Sequence, residues 1–184
     1  MSTYTLLMSV PVIAFLAVAA VIDWRTRRIP NWLTFSLVIS GLAQSWMPQA
    51  VVGPWSSLAG LATGVALTVM MYVVRALGAG DVKLLAGIGA WFGPQAALAV
   101  FCVEAIVGMV MAIAQATHEG KAKLLFKNSA LIAVNLAHVN EVGLEHVKQT
   151  GQSCRSIERP LPYAVPVLVA VIILFGWWST AAGR

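Results

Sequence analysis

Six apolar runs, separated by proline, glycine or short charged stretches, decide what this chain can fold into. They lie at about residues 5–22, 31–47, 55–76, 82–93, 95–117 and 161–179. Crossing a hydrocarbon core of roughly 30 Å takes about 20 apolar helical residues, and only a helix or a closed barrel satisfies its own backbone there. The balance of the chain agrees with that use: 59% of its 184 residues are hydrophobic, 10% are charged, and the mean hydropathy is +0.82. Such a composition excludes an ordinary soluble domain. The expected fold is an all-α membrane protein, a six-transmembrane-helix bundle forming one membrane-embedded domain over residues 1–184. No basic region precedes the first apolar stretch and no clear small-residue cleavage site follows it, so Leu6 to Ile22 reads as a retained span, not a secretory signal.

The charges orient the bundle. A net charge of +5 and a pI near 9.6 would suit nucleic acid, but the twelve Lys and Arg cluster between apolar runs as topology signals do, so no nucleic-acid partner is expected. The fourth run is the short one: its dozen residues rise only about 18 Å, which also suits a re-entrant segment. If all six runs cross, eleven basic residues lie on one side (Arg25, Arg27, Arg28, Arg75, Lys83, Lys121, Lys123, Lys127, Lys148, Arg155 and Arg159) and only Arg184 on the other. If the fourth turns back, the split becomes six against six. The positive-inside rule favours six crossings, with both termini periplasmic and a cytoplasmic loop between helices 5 and 6 over about 118–160. In that loop Leu124, Leu125, Leu131, Ile132 and Leu136 recur beside Lys121, Lys123 and Lys127. This pattern suits either a helix lying on the anionic inner leaflet or a soluble segment packed on the bundle. Cys102 and Cys154 form no CxxC, so neither a disulfide framework nor a zinc site is indicated.

Against this apolar background two carboxylates stand out, Asp23 in Val-Ile-Asp-Trp-Arg-Thr-Arg-Arg-Ile-Pro-Asn and Asp81 in Gly-Ala-Gly-Asp-Val-Lys-Leu-Leu. An acid at a bilayer boundary is costly and marks a functional site by default. The topology sets both at the cytoplasmic ends of their helices, at one depth. Two such groups a few ångströms apart share one proton, so one acts as base toward water while the other protonates a departing amide. Paired aspartates therefore suggest an aspartyl protease. Gly78 and Gly80 permit positive φ and leave room for a substrate strand. The blander alternatives are that Asp81 caps a helix beginning at Val82, and that Asp23 only marks where helix 1 leaves the bilayer. Arg27 and Arg28 read first as topology and lipid-headgroup residues, and Lys83 as an interfacial lysine turned away from Asp81, with substrate binding as the lesser role of all three. Glu104, inside the fifth run, is expected to hydrogen-bond to a neighbouring helix or to carry protons. No His-Glu-x-x-His and no serine-nucleophile motif occurs. His138, Glu141 and Glu145 could share a helical face, but they lack a further ligand and suit a solvated surface better than a metal site.

Together, Asp23 to Asn31, Gly78 to Leu85 and Leu161 to Pro166 (Leu-Pro-Tyr-Ala-Val-Pro) resemble the type IV prepilin peptidase family, bacterial GxGD intramembrane aspartyl proteases of the peptidase A24 type. The resemblance implies Asp23 and Asp81 as catalytic residues and Gly78 and Gly80 as motif glycines. It implies an inner-membrane enzyme that removes the short basic leader of prepilins or pseudopilins after a glycine, at the cytoplasmic face. Water is the nucleophile, with no metal or other cofactor; the partners are the leader peptide and the lipid bilayer, and no oligomeric state is assigned. Full-length members carry paired CxxC motifs and also methylate the new N-terminus. This chain has no CxxC, so it looks most like the short TadV/CpaA members that serve Flp-type pili, without methyltransferase activity. Two rivals stand beside it: a small proton-coupled transporter or assembly scaffold using Asp23, Asp81 and Glu104, and an inactive relative that chaperones pilin.

Overall fold

The structure, a computed structural model, describes residues 3–73, 77–120, 123–124, 127–128, 130–131, 134 and 162–181. Within them run six long helices: α1 (Thr3–Thr26), α2 (Asn31–Gln44), α3 (Pro54–Val73), α4 (Ala79–Phe92), α5 (Pro94–His118) and α6 (Ala164–Ala181). No strand occurs among the described residues. Most of the 118–160 loop, with Lys121, Leu125, Ile132, Leu136, His138, Glu141, Glu145 and Cys154, lies outside them, as do Arg75 and Leu161.

Local chemistry sets the helix ends. Pro54 and Pro94 open α3 and α5 at the first helical position, where a missing N–H costs nothing. Pro30, extended at φ −64° and ψ 137°, precedes α2. The turn from α4 to α5 is Gly93 alone, at φ 86°, where any side chain would be strained and a Cβ would also meet Ser56 Oγ at 2.9 Å. Helix α1 continues past its apolar run to Thr26 and stops at Arg27, a left-handed residue (φ 55°) whose N–H bonds to the Asp23 carbonyl at 2.8 Å. Asp23 therefore sits one turn inside α1, not beyond it.

Helix α4 is the axis of the bundle. Every residue from Leu84 to Trp91 is buried, and α4 packs against α2, α3, α5 and α6. A helix apolar all round belongs inside a protein. It lies alongside α2 in the same sense: Lys83 Nζ donates to Asn31 Oδ1 (2.9 Å) at the start, and Gln44 Nε2 donates to the Trp91 carbonyl (3.3 Å) at the end. Near that far end Phe92 meets Phe175 of α6 edge-on, with centroids 5.0 Å apart. The short fourth run thus lies beside α2 along the length of that helix.

Helix α3 approaches α4 on a stripe of small residues: Ser57, Gly60, Gly64 and Thr68 are its buried positions. Gly60 lies against the Gly89 backbone, and a Cβ on Gly64 would meet the Leu85 carbonyl oxygen at 2.7 Å. Ser57 Oγ donates to the Ala90 carbonyl at 2.6 Å. Such stripes let helix backbones meet where burial in lipid supplies no hydrophobic drive. Around this core the outer face is apolar, with Val18, Val21, Ile39, Val69, Leu98, Ile106, Val110 and Ile172 exposed. By length and composition α3 and α5 can each cross a membrane, and 22% of the most apolar window of each is buried, so both face outward.

Candidate active site

The acids collect where α1 ends and α4 and α6 begin. Asp23 is buried, and its Oδ2 accepts a hydrogen bond from the Ala164 N–H, the first residue of α6, at 3.0 Å. A carboxylate here meets the positive end of the α6 dipole. The Arg27 charge also acts on Asp23. Asp81 is the third residue of α4, and its Oδ2 accepts the Gly78 N–H at 2.8 Å. The helix starts three residues before Val82, so Asp81 is not its N-cap. Gly78 takes that position and has no side chain for the reciprocal bond, leaving Asp81 to reach back and satisfy one of the orphan N–H groups.

The motif glycines owe their place to space. Gly78 is extended (φ −84°, ψ 158°), and among the described glycines only Gly93 and Gly120 have positive φ. The positive φ that glycine permits is therefore not used at Gly78 or Gly80. Gly80 lies inside α4 against the α1–α2 turn, where a Cβ would come within 3.0 Å of Ile29 Cβ and 3.4 Å of its carbonyl oxygen.

Four groups interact electrostatically across the helices: Asp81 with Asp23, Glu104 with Asp81, and Tyr163 with both Glu104 and Asp81. Glu104 of α5 is buried; the Tyr163 hydroxyl donates to its Oε1, while Oε2 has no hydrogen-bond partner among the described residues. Glu104 thus bonds to the turn preceding a neighbouring helix, one of its two expected roles. Tyr163 was legible only as a letter in the Leu161–Pro166 motif; the need of a buried acid for a hydroxyl partner was the signal that could have singled it out.

The basic residues are arranged otherwise. Arg27 and Arg28 are exposed beside the cluster. Lys83 is tied to α2 through Asn31 and lies 4.8 Å over the Phe35 ring, so it links two helices rather than reaching toward Asp81. A shallow pocket lined by Gln44, Met47, Pro48, Gln49 and Ala50 lies at the opposite end of the bundle.

A bundle that is helical throughout its described residues, with an apolar exterior and two aspartates from separate helices within electrostatic range of each other, defines a class of acid-centred membrane proteins. A model of the type IV leader peptidase family matches residues 11–113, more than half of the sequence, and the chain belongs to that family. The match takes in Asp23, Asp81 and Glu104 and stops short of Tyr163. The chain is 37% identical over 109 residues to a prepilin leader peptidase/N-methyltransferase of Pectobacterium carotovorum subsp. carotovorum, covering 55% of this chain and 38% of that one. With a protein of the same description from Klebsiella pneumoniae it shares 36% identity over 90 residues, 46% of this chain and 40% of the other. A type 4 prepilin-like proteins leader peptide-processing enzyme of Escherichia coli is 28% identical over 107 residues, 54% of this chain and 40% of its own length. The chain therefore spans about two fifths of the curated relatives it matches. No solved structure matches it.

Proposed function

We propose that this protein is an intramembrane aspartyl endopeptidase that removes the short basic leader of type IV prepilins or pseudopilins, after a glycine, at the cytoplasmic face of the bacterial inner membrane. The observation that carries the reading is that Asp23 and Asp81, on two different helices, lie within electrostatic range of each other and are each held through Oδ2 by a backbone N–H. With one oxygen of each fixed, the other is available to water and to the scissile amide. The base takes a proton from water as it attacks the carbonyl carbon, and the acid protonates the amide nitrogen as the C–N bond breaks. Because the pair works with one shared proton, cleavage rate against pH is predicted to be bell-shaped.

The six-span topology is part of the proposal. All seven tryptophans fall near helix ends: Trp24 and Trp32 toward the acids, Trp46, Trp55, Trp91, Trp177 and Trp178 toward the other end. Trp24, Trp32, Trp46, Trp55 and Trp177 are exposed, as interfacial belts require. Buried α4 needs no full span of apolar residues, because protein and not lipid surrounds it.

The Flp-type, TadV/CpaA-like assignment rests on the absence of CxxC from this sequence. It is tested with the full chain in proteoliposomes and an Flp-type prepilin, reading the product by mass. Leader loss with an unmethylated new N-terminus, even with a methyl donor present, is expected; a methylated product would overturn the peptidase-only assignment. The proton-transporter reading draws on the same buried Glu104 and predicts proton flux through the liposomes that Glu104→Gln abolishes.

A further inference from the structure

The peptidase reading leaves Glu104 and Tyr163 without a task, and stability alone does not explain them. A buried carboxylate with one oxygen unpartnered among the described residues costs free energy that an apolar side chain on α5 would avoid. The contacts around it lead to Asp23. Of the first four N–H positions of α6, Val165 bonds to the Pro162 carbonyl (3.4 Å), Val167 to the Tyr163 carbonyl (3.4 Å), and Pro166 has no N–H. Ala164 turns to Asp23, and the backbone N–H of Tyr163 just before it also acts on that carboxylate. The direction of the Ala164 N–H is set by the turn that Tyr163 occupies, and the far end of the Tyr163 side chain is held by Glu104.

Resting on the peptidase reading, we infer that Glu104 and Tyr163 are positioning residues: their hydrogen bond fixes the Pro162–Ala164 turn, whose Ala164 N–H holds the Asp23 carboxylate within electrostatic range of Asp81. The link runs from α5 through the α6 turn to α1, so the acid on α1 is aligned by a helix other than its own. Displacing a reacting group by an ångström from a distance costs on the order of a hundredfold in rate. Glu104 acts here as an acceptor. A glutamine, whose amide oxygen also accepts from the tyrosine hydroxyl, keeps the link, whereas leucine breaks it.

The test uses the full-length protein in membranes, with an Flp-type prepilin as substrate and initial cleavage rates read by mass over a range of substrate concentrations. Tyr163→Phe and Glu104→Leu are expected to lower kcat about 10- to 100-fold with KM within about twofold. Glu104→Gln is expected to stay within about threefold of wild type. Ala164→Pro deletes the N–H at a helix position that tolerates proline. It is expected to match the kcat loss of Tyr163→Phe, and to add nothing when the two are combined. A folded Tyr163→Phe or Ala164→Pro with full kcat would overturn the inference. So would a Glu104→Gln as inactive as Glu104→Leu, since a proton on Glu104 and not its alignment would then matter. Should Tyr163→Phe fail to insert, Ala164→Pro and the Gln/Leu pair decide alone. Cleavage by wild type but not by Asp23→Asn upholds the peptidase reading whatever these variants do; a wild type that cleaves no prepilin removes both.

Discussion

Asp23 and Asp81 were legible because a carboxylate has no cheap place at the edge of an apolar run, so each announces itself against its neighbours. What held them was not legible. The bonds to Ala164 and Gly78 are made by backbone groups, which every residue carries and no sequence pattern marks. The same limit applies to Gly80: the letter suggested backbone freedom, but the structure shows a close approach to Ile29. Gly80→Val is therefore predicted to destabilise the protein by about 1–3 kcal/mol and to slow cleavage, by pushing the α1–α2 turn off α4; a thermal shift and a rate measured together check it. Arg27 offers a test of backbone strain at constant charge. Arg27→Val and Arg27→Asn both remove the guanidinium, yet at φ 55° the branched side chain should be the less stable by about 1 kcal/mol, seen as the lower melting temperature.

At the level of elements, each of the six apolar runs forms a helix, and α3 and α5 are long and apolar enough to cross a membrane; the fourth run was ambiguous because a dozen residues fall short of a bilayer. In the structure α4 occupies the centre of the bundle, packed against α2, α3, α5 and α6. The Ser57, Gly60, Gly64, Thr68 stripe was legible too, because its spacing marks one helical face of small residues. Gly64→Leu is expected to force α3 from α4 and lower the yield of folded protein sharply, whereas Ser57→Ala, which gives up one hydrogen bond, should cost about 1 kcal/mol. Lys83→Met keeps an apolar stem over Phe35 and loses the bond to Asn31. An unchanged KM for the prepilin with slightly lower stability is predicted; a large rise in KM would restore Lys83 to substrate binding.

For the whole molecule, the asymmetry of basic residues and the apolar exterior speak to orientation, and both were readable from the sequence because bilayers sort residues by simple chemistry. Single cysteines placed in a Cys102→Ser, Cys154→Ser background test the result: Gln49→Cys should react with an impermeant thiol reagent from the periplasm, and Gly120→Cys only after the membrane is opened. The reverse pattern would invert the topology and move the acids to the other face. The central claim is the aspartate pair, and its most direct measurement is leader removal from a co-expressed Flp-type prepilin, followed by mass for wild type, Asp23→Asn and Asp81→Asn, with membrane insertion checked in each. The account predicts cleavage by wild type and none by either variant, although both insert normally. Full cleavage by either inserted variant would contradict it.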